Sequence, residues 1–235
     1  MVYLNFISDK ELIEAVGKVV KVIDSAENNA TKSLYKNVVD PFSALFHGVT
    51  HAITYNEWIE QEKARQVQKT MQNAIGDFHQ EVLGNVVGWK NLGKGGGLDV
   101  VNENKKIIAE VKNKFNTTKG NHKVEIYDSI KSKLKNKEYS GFIGYYVEVI
   151  PQAKKKYDKP FTPSDNKTKK SRISDKNIRV INGVSFYALA TGRQKALQEL
   201  FEALPHVLVD SFKFKLKKKE ALKYLELFHR AFSTE

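Results

Sequence analysis

Gly95-Gly96-Gly97-Leu98-Asp99-Val100-Val101-Asn102-Glu103-Asn104-Lys105-Lys106-Ile107-Ile108-Ala109-Glu110-Val111-Lys112 carries the strongest strand signal in the chain. Two runs rich in Val and Ile, 98–102 and 106–112, flank the polar tetrad Asn102-Glu103-Asn104-Lys105, which predicts an antiparallel hairpin. Strand side chains alternate faces, so Ile108, Glu110 and Lys112 share one face while Ile107, Ala109 and Val111 share the other. The second set suits a core. The first brings two charged groups to the far end of an apolar strand. Pairing around residues 102–105 puts Asp99 roughly opposite residues 108–110.

Asp99 and Glu110 can then approach one cation. A hard ion such as Mg2+ takes oxygen ligands and keeps several waters. It can polarise a phosphate and make a bound water more acidic. Lys112 can orient that water or offset charge growing on the phosphate. A Glu-x-Lys on a strand is, by itself, commonly a surface salt bridge. Asp99 one hairpin away, the glycines of Gly95-Gly96-Gly97 and the apolar character of both strands favour the metal site.

The bulk composition fits that chemistry. The 235 residues carry a net charge of +12, which favours a polyanion as partner. The charge is concentrated. Residues 151–180 hold ten Lys/Arg against three Asp, and residues 211–223 hold six Lys against Glu220. The first thirty residues are slightly acidic, with three Lys against five Asp/Glu. With no cysteine, disulfides and thiolate-bound zinc are excluded, and a reducing, cytoplasmic setting is expected. No apolar run approaches the ~20 residues of a membrane span, and the N-terminus lacks the pattern of a secretory signal.

Outward from the hairpin, the first ninety residues carry helical signals. Leu12, Ile13, Val16, Val19, Val20 and Ile23 recur at helical spacing. Asp40-Pro41 reads as an N-cap followed by proline at the first helical position. Thr54-Tyr55-Asn56-Glu57 has capping-box spacing and opens a long helix ended by Gly84 and Asn85. Beyond the hairpin, a helix is expected over 122–136 and a buried strand over 141–150. An exposed basic loop is expected over 152–176, strands over 178–181 and 184–190, and helices over 192–204 and 216–231. The fold class is α/β: a mixed β-sheet flanked by helices, with an N-terminal helical region. We expect one domain over 1–235, with a mainly helical part at 1–90, the α/β core that carries the hairpin at 91–205 and a C-terminal helix at 206–235.

Asp99, ten intervening residues and then Glu110-Val111-Lys112 resemble the signature of the PD-(D/E)xK nuclease superfamily, with Leu98 where that signature has proline. Two further stretches are similar to type II restriction endonucleases, namely Asn73-Ala74-Ile75-Gly76-Asp77-Phe78-His79-Gln80-Glu81 and Asn182-Gly183-Val184-Ser185-Phe186-Tyr187-Ala188-Leu189-Ala190-Thr191-Gly192. Together with the hairpin they resemble the group cutting GGNCC-type sites. The resemblance covers roughly residues 70–205. It implies a restriction-endonuclease-like core, Mg2+-dependent hydrolysis of double-stranded DNA, a metal set of Asp99, Glu110 and Val111, and a catalytic set of Asp99, Glu110 and Lys112. It also implies a helix carboxylate. Glu81 lies roughly 60° from the Phe78 direction and Asp77 roughly 100°, so Glu81 is preferred. His79 and Gln80 fall on the opposite side of that helix, where a surface or packing role is expected for His79. His47 and His51 lack a third ligand, which argues against zinc.

The remaining candidates are basic or polar. Lys114, Lys119, Asn121 and Lys123 follow the strand and can hold the DNA backbone. Lys167, Lys169, Lys170 and Arg172 in the basic loop can neutralise phosphates, which gives affinity without sequence information. Arg172 or Arg179 can pair with guanine in the major groove. A palindromic site implies a homodimer. Two alternatives stand beside this. One is a structure-specific nuclease of the same superfamily, which would cut branched DNA irrespective of sequence. The other is a basic DNA-binding protein without catalysis, which would bind without metal-dependent cleavage.

Overall fold

The computed structural model describes residues 2–93, 95, 97–118 and 121–232. The chain divides into two compact units, Gly17–Asp77 and the remainder. Its helices are α1 (Asp9–Asn28), α2 (Ala30–Ser33), α3 (Pro41–His51), α4 (Tyr55–Gly84), α5 (Asn121–Leu134), α6 (Gly183–Thr191), α7 (Ala196–Phe212) and α8 (Lys218–Ala231). Its strands are β1 (Lys90–Asn91), β2 (Val100–Asn102), β3 (Ile107–Lys114), β4 (Ile143–Ile150), β5 (Asp158–Pro160) and β6 (Ile178–Asn182).

The caps expected in the first half are present. The Asp40 carboxylate accepts from the N–H groups of Phe42 and Ser43 at 3.0 and 3.3 Å, with Pro41 behind it. Glu57 accepts from the Thr54 N–H at 2.8 Å, and the Glu57 N–H donates back to the Thr54 hydroxyl at 3.3 Å. Each pair satisfies donors that a helix start leaves without partners.

The strands form one mixed sheet in the order β1-β2-β3-β4-β6-β5. β2 and β3 pair antiparallel, with Val100 opposite Ala109 and Val101 opposite Ile108. β3 and β4 run parallel and are connected through α5, and β6 lies parallel to β4 on its other side. Ile108, Tyr146, Ile178 and Val180 from the sheet pack with Ile126, Tyr127 and Ile130 of α5 in one core. Gly144 lets α5 lie this close, because a Cβ there would overlap the Ile130 side chain. The opposite face packs on α6 through Phe186, whose ring centroid lies 5.8 Å from Tyr145 and 5.4 Å from Trp89.

Both sets of β3 side chains are therefore covered near the strand's start, and the faces diverge only toward its end. Ile107, Ile108 and Ala109 are buried, whereas Glu110, Lys112 and Lys114 are half-buried.

The segment 184–190 is helix, not strand. The Asn182-Gly183 pair ends β6 and caps α6: the Asn182 side chain accepts from the Ser185 N–H at 2.9 Å. Gly183, Phe186, Tyr187 and Ala190 are buried at helical spacing. A run apolar on several sides satisfies both periods, and only capping and packing separate them. The helix expected from 192 starts at Ala196 and runs on to Phe212, after Gly192 closes α6 in the left-handed region at φ 75°. The 152–176 segment is more ordered than an exposed loop. β5 pairs antiparallel with β6, and Phe161 and Asp165 are buried.

Candidate active site

The hairpin register continues one step past Val100 and Ala109 to set Asp99 beside Glu110. The Asp99 N–H donates to the Ala109 carbonyl at 2.9 Å, and its own carbonyl accepts from the Leu92 N–H at 2.8 Å. Its carboxylate accepts from the Val111 N–H at 2.6 Å. Asp99 is thus held by main chain on either side of its own strand, Leu92 on one and β3 on the other, so its position follows from strand pairing. Glu110 and Lys112, two residues apart on one face of β3, form an ion pair at 2.6 Å with side chains 15% and 25% exposed. Partial burial leaves this pair less screened than a surface pair.

The donor set suits a hard divalent cation. It consists of carboxylate oxygens and main chain, with no sulfur, and such a cation needs only one or two carboxylates beside its waters. Among the described residues no three His, Asp or Glu side chains gather as a metal-binding group. A metal at this hairpin would therefore rest on Asp99, Glu110 and the main chain of Val111. Gln80 of α4 approaches that main chain, its Nε2 lying 3.5 Å from the Val111 carbonyl oxygen.

Lys112 lies opposite Glu148 in the parallel register of β3 and β4. Glu148 is only 7% exposed. It accepts from Lys123 Nζ at 2.7 Å and from the Tyr157 hydroxyl at 2.6 Å. One carboxylate therefore joins α5, β4 and the basic segment beside the Glu110–Lys112 pair. Lys123 also lies 5.5 Å from the centroid of the Tyr146 ring, which stacks on Phe161. Burial pushes the Tyr146 and Tyr157 hydroxyls up, with Glu148 adding to the effect at Tyr157.

The other candidates separate by environment. Glu81 is half-buried near the end of α4, and Asp77 is exposed and belongs to the other unit. Of the surface and packing roles open to His79, the structure gives it the packing one. It is buried, with Nδ1 2.8 Å from the Tyr187 hydroxyl, and burial pulls it down to about 4. A helix enclosed by neighbours buries more than one stripe, which the wheel around Phe78 could not register.

Lys114 ends β3, half-buried, and the Asn121 side chain at the start of α5 accepts from the Asn166 N–H at 3.0 Å. Lys119 lies outside the described residues. Lys167, Lys169 and Lys170 are exposed on a turn organised by Asp165. That carboxylate accepts from the N–H groups of Lys167 and Thr168 at 2.7 and 3.2 Å. Those main-chain donors, Lys167 first, hold its carboxyl below the usual range, with the Arg172 guanidinium adding to them. Arg172 makes a two-pronged contact with Asp128 at 3.0 and 2.8 Å and reaches Asp165 at 3.2 Å. Arg179 is paired with Asp158 at 2.6 Å. In the free protein both arginines are held by carboxylates, while the three lysines of the turn face solvent.

Glu148, Gln80, Asp128 and Asp165 carry no sequence signal for these roles. Three of them gain their role from a partner far along the chain: 25 residues for Glu148 and Lys123, 31 for Gln80 and Val111, and 44 for Asp128 and Arg172, whereas Asp165 acts within its own turn on Lys167 and Thr168.

A mixed sheet whose antiparallel hairpin leads into a parallel strand-helix-strand unit, flanked by helices, defines a restriction-endonuclease-like α/β fold. Residues 4–213 match the Eco47II restriction endonuclease family. The chain is 41% identical over 210 residues to the type II restriction enzyme Eco47II of Escherichia coli, covering 88% of this chain and 87% of that enzyme. It is 30% identical over 222 residues to the type II restriction enzyme Sau96I of Staphylococcus aureus, covering 92% and 84% respectively. The chain belongs to the Eco47II restriction endonuclease family. Among the described residues, no helix is long and apolar enough to cross a membrane.

Proposed function

We propose that this protein is a type II restriction endonuclease, a hydrolase that cuts double-stranded DNA at a specific site of the GGNCC type, acting in the cytoplasm as a homodimer with Mg2+. The observation that carries the reading is the hairpin itself. Asp99 is fixed by the Val111 N–H at 2.6 Å beside the half-buried Glu110–Lys112 pair, in a chain of this family.

Asp99, Glu110 and the main chain of Val111 would hold the metal, which when bound polarises a phosphate and makes a water more acidic. Lys112 supplies a positive charge at the phosphate oxygens on which charge grows, and the partial burial of its pair strengthens that effect. Gln80 steadies the Val111 carbonyl. Glu81 is the supporting helix carboxylate. Glu148 keeps Lys123 beside the strand that carries the pair, where it can meet a backbone phosphate together with Lys114, Lys119 and Asn121.

Lys167, Lys169 and Lys170 follow the DNA backbone. Arg172 and Arg179 read bases after exchanging their carboxylate partners for guanine. That exchange contributes specificity, because a wrong base returns less than the ion pair given up.

Digestion of plasmid with and without Mg2+ tests the reading, followed by sequencing of the new ends. Discrete, Mg2+-dependent fragments with a common end sequence are expected. Fragments with random ends, or preferential cutting of branched DNA, would refute site-specific restriction.

A further inference from the structure

Within the Gly17–Asp77 unit, α3 is built inside out. Phe42, Leu45, Phe46 and Val49 fall at i, i+3, i+4 and i+7, within an arc of roughly 100°. In an ordinary surface helix such a stripe faces the core. Here these four side chains are 73%, 64%, 69% and 72% exposed, and no residue of α3 is buried. The inward positions are taken by small residues, Ala44 and Gly48, together with His47, all half-covered. Tyr35, Val38 and Tyr55, on either side of α3 in sequence, are also exposed, and the two tyrosine hydroxyls lie 3.0 Å apart. The helix start is well specified, with Asp40 capping it and Pro41 at its first position, so the outward stripe belongs to a formed helix.

We propose that this outward face of α3 is where two copies of the chain meet. Charge selects the occupant. Pro41–His51 contains no Lys, Arg, Asp or Glu, in a chain of net charge +12. Two such chains repel through most of their surface, and a neutral apolar face is where they can approach. A nucleic-acid partner would seek the basic segments instead. A lipid surface would be met by an amphipathic helix with Lys or Arg on its polar side, which α3 lacks.

The stripe is also self-complementary. Identical i, i+3, i+4, i+7 ridges can pack about a two-fold axis, each copy offering the same patch. The two phenylalanines carry roughly 300 Å² per copy. With Leu45, Val49 and the exposed flanking residues, the contact is of the scale of the ~800 Å² per partner in stable interfaces. The inference deepens the homodimer proposed above by giving it a surface. Its tests read mass and cross-linking, not cleavage, so it can fail while the nuclease reading stands.

Light scattering on the purified chain at micromolar concentration should give twice the chain mass. Leu45→Glu combined with Phe46→Glu should give the single-chain mass with an unchanged far-ultraviolet circular dichroism spectrum. A monomeric wild type overturns the proposal, whether or not it floats with phosphatidylcholine/phosphatidylglycerol vesicles, and so does a doubly substituted chain that stays dimeric. A second measurement does not depend on how well the charged variant folds. The chain has no cysteine, so Phe46→Cys supplies one thiol per copy for a short bismaleimide. The expected result is a band of doubled mass for Phe46→Cys and none for Ile173→Cys, a position in the other unit that is at least as exposed. No doubled band from Phe46→Cys, or equal bands from both, overturns the assignment.

Discussion

His79 should make the stability of this protein depend on pH in a way that one substitution removes. The imidazole is buried against the Tyr187 hydroxyl at 2.8 Å, and burial depresses it to about 4 from an ordinary value of 6.5. Between those values the unfolded chain binds a proton that the folded chain refuses. The sign is therefore fixed: the contribution is complete above 6.5 and is lost as pH falls toward 4. Each pH unit in that window removes about 1.4 kcal/mol. Moving from about pH 7.5 to about pH 5 crosses some 1.5 units of the window and should cost about 2 kcal/mol. The assay is urea unfolding followed by fluorescence of Trp89, whose Nε1 donates to the Ala190 carbonyl on the helix that carries Tyr187. A Trp58→Phe background leaves Trp89 as the only tryptophan, since the chain has two. His79→Asn in that background keeps a polar partner for Tyr187 and removes the titration. Other titrating groups are common to both proteins and cancel in the comparison. The parent should lose about 2 kcal/mol more than the variant over the pH step. Equal losses would refute a buried, neutral His79.

Four further outcomes follow from the site. Lys112→Ala should lower the cleavage rate about 10²–10³-fold in single-turnover assays while DNA affinity changes little, and unchanged cutting would remove Lys112 from the mechanism. Asp99→Asn keeps an acceptor for the Val111 N–H, so the fold should persist while divalent-metal affinity, read by calorimetry, falls at least ~10-fold. Glu148→Gln leaves Lys123 and Tyr157 with a weaker shared acceptor and should cost about 1–3 kcal/mol in urea unfolding; a cost near zero would show that the cluster holds nothing in place. Replacing Lys167, Lys169 and Lys170 by Ala should reduce the slope of log affinity against log salt by about 3, and an unchanged slope would place DNA elsewhere.

The hairpin was legible because its determinants are local. Alternating Val and Ile around Asn102-Glu103-Asn104-Lys105 sets a turn, and the turn sets which residues of the two strands lie opposite. Asp99 and Glu110 are neighbours for that reason alone. The caps at Asp40 and Thr54 are legible for the same reason, since donor and acceptor lie within three residues. Residues 184–190 read as strand from sequence because an apolar run has no clear period, and the Asn182-Gly183 pair serves a hairpin turn or a helix start equally well. Burial of Gly183 against Val149, where a Cβ would meet backbone, decides for the helix. The basic segment reads as an exposed loop because the partners that anchor it, β6 for β5 and Asp128 for Arg172, lie outside it.

Residue order alone thus settled the hairpin, the charge bias and most helix positions, all products of contacts within a few residues. Tertiary structure decided everything that depends on which distant strand lies alongside. It set Glu148 opposite Lys112, gave Lys123 and Tyr157 a common acceptor, buried His79, and tied Arg172 and Arg179 to carboxylates. It also turned the apolar side of α3 outward. Periodicity shows that a helix has an apolar face, but only packing against the rest of the chain determines whether that face is covered.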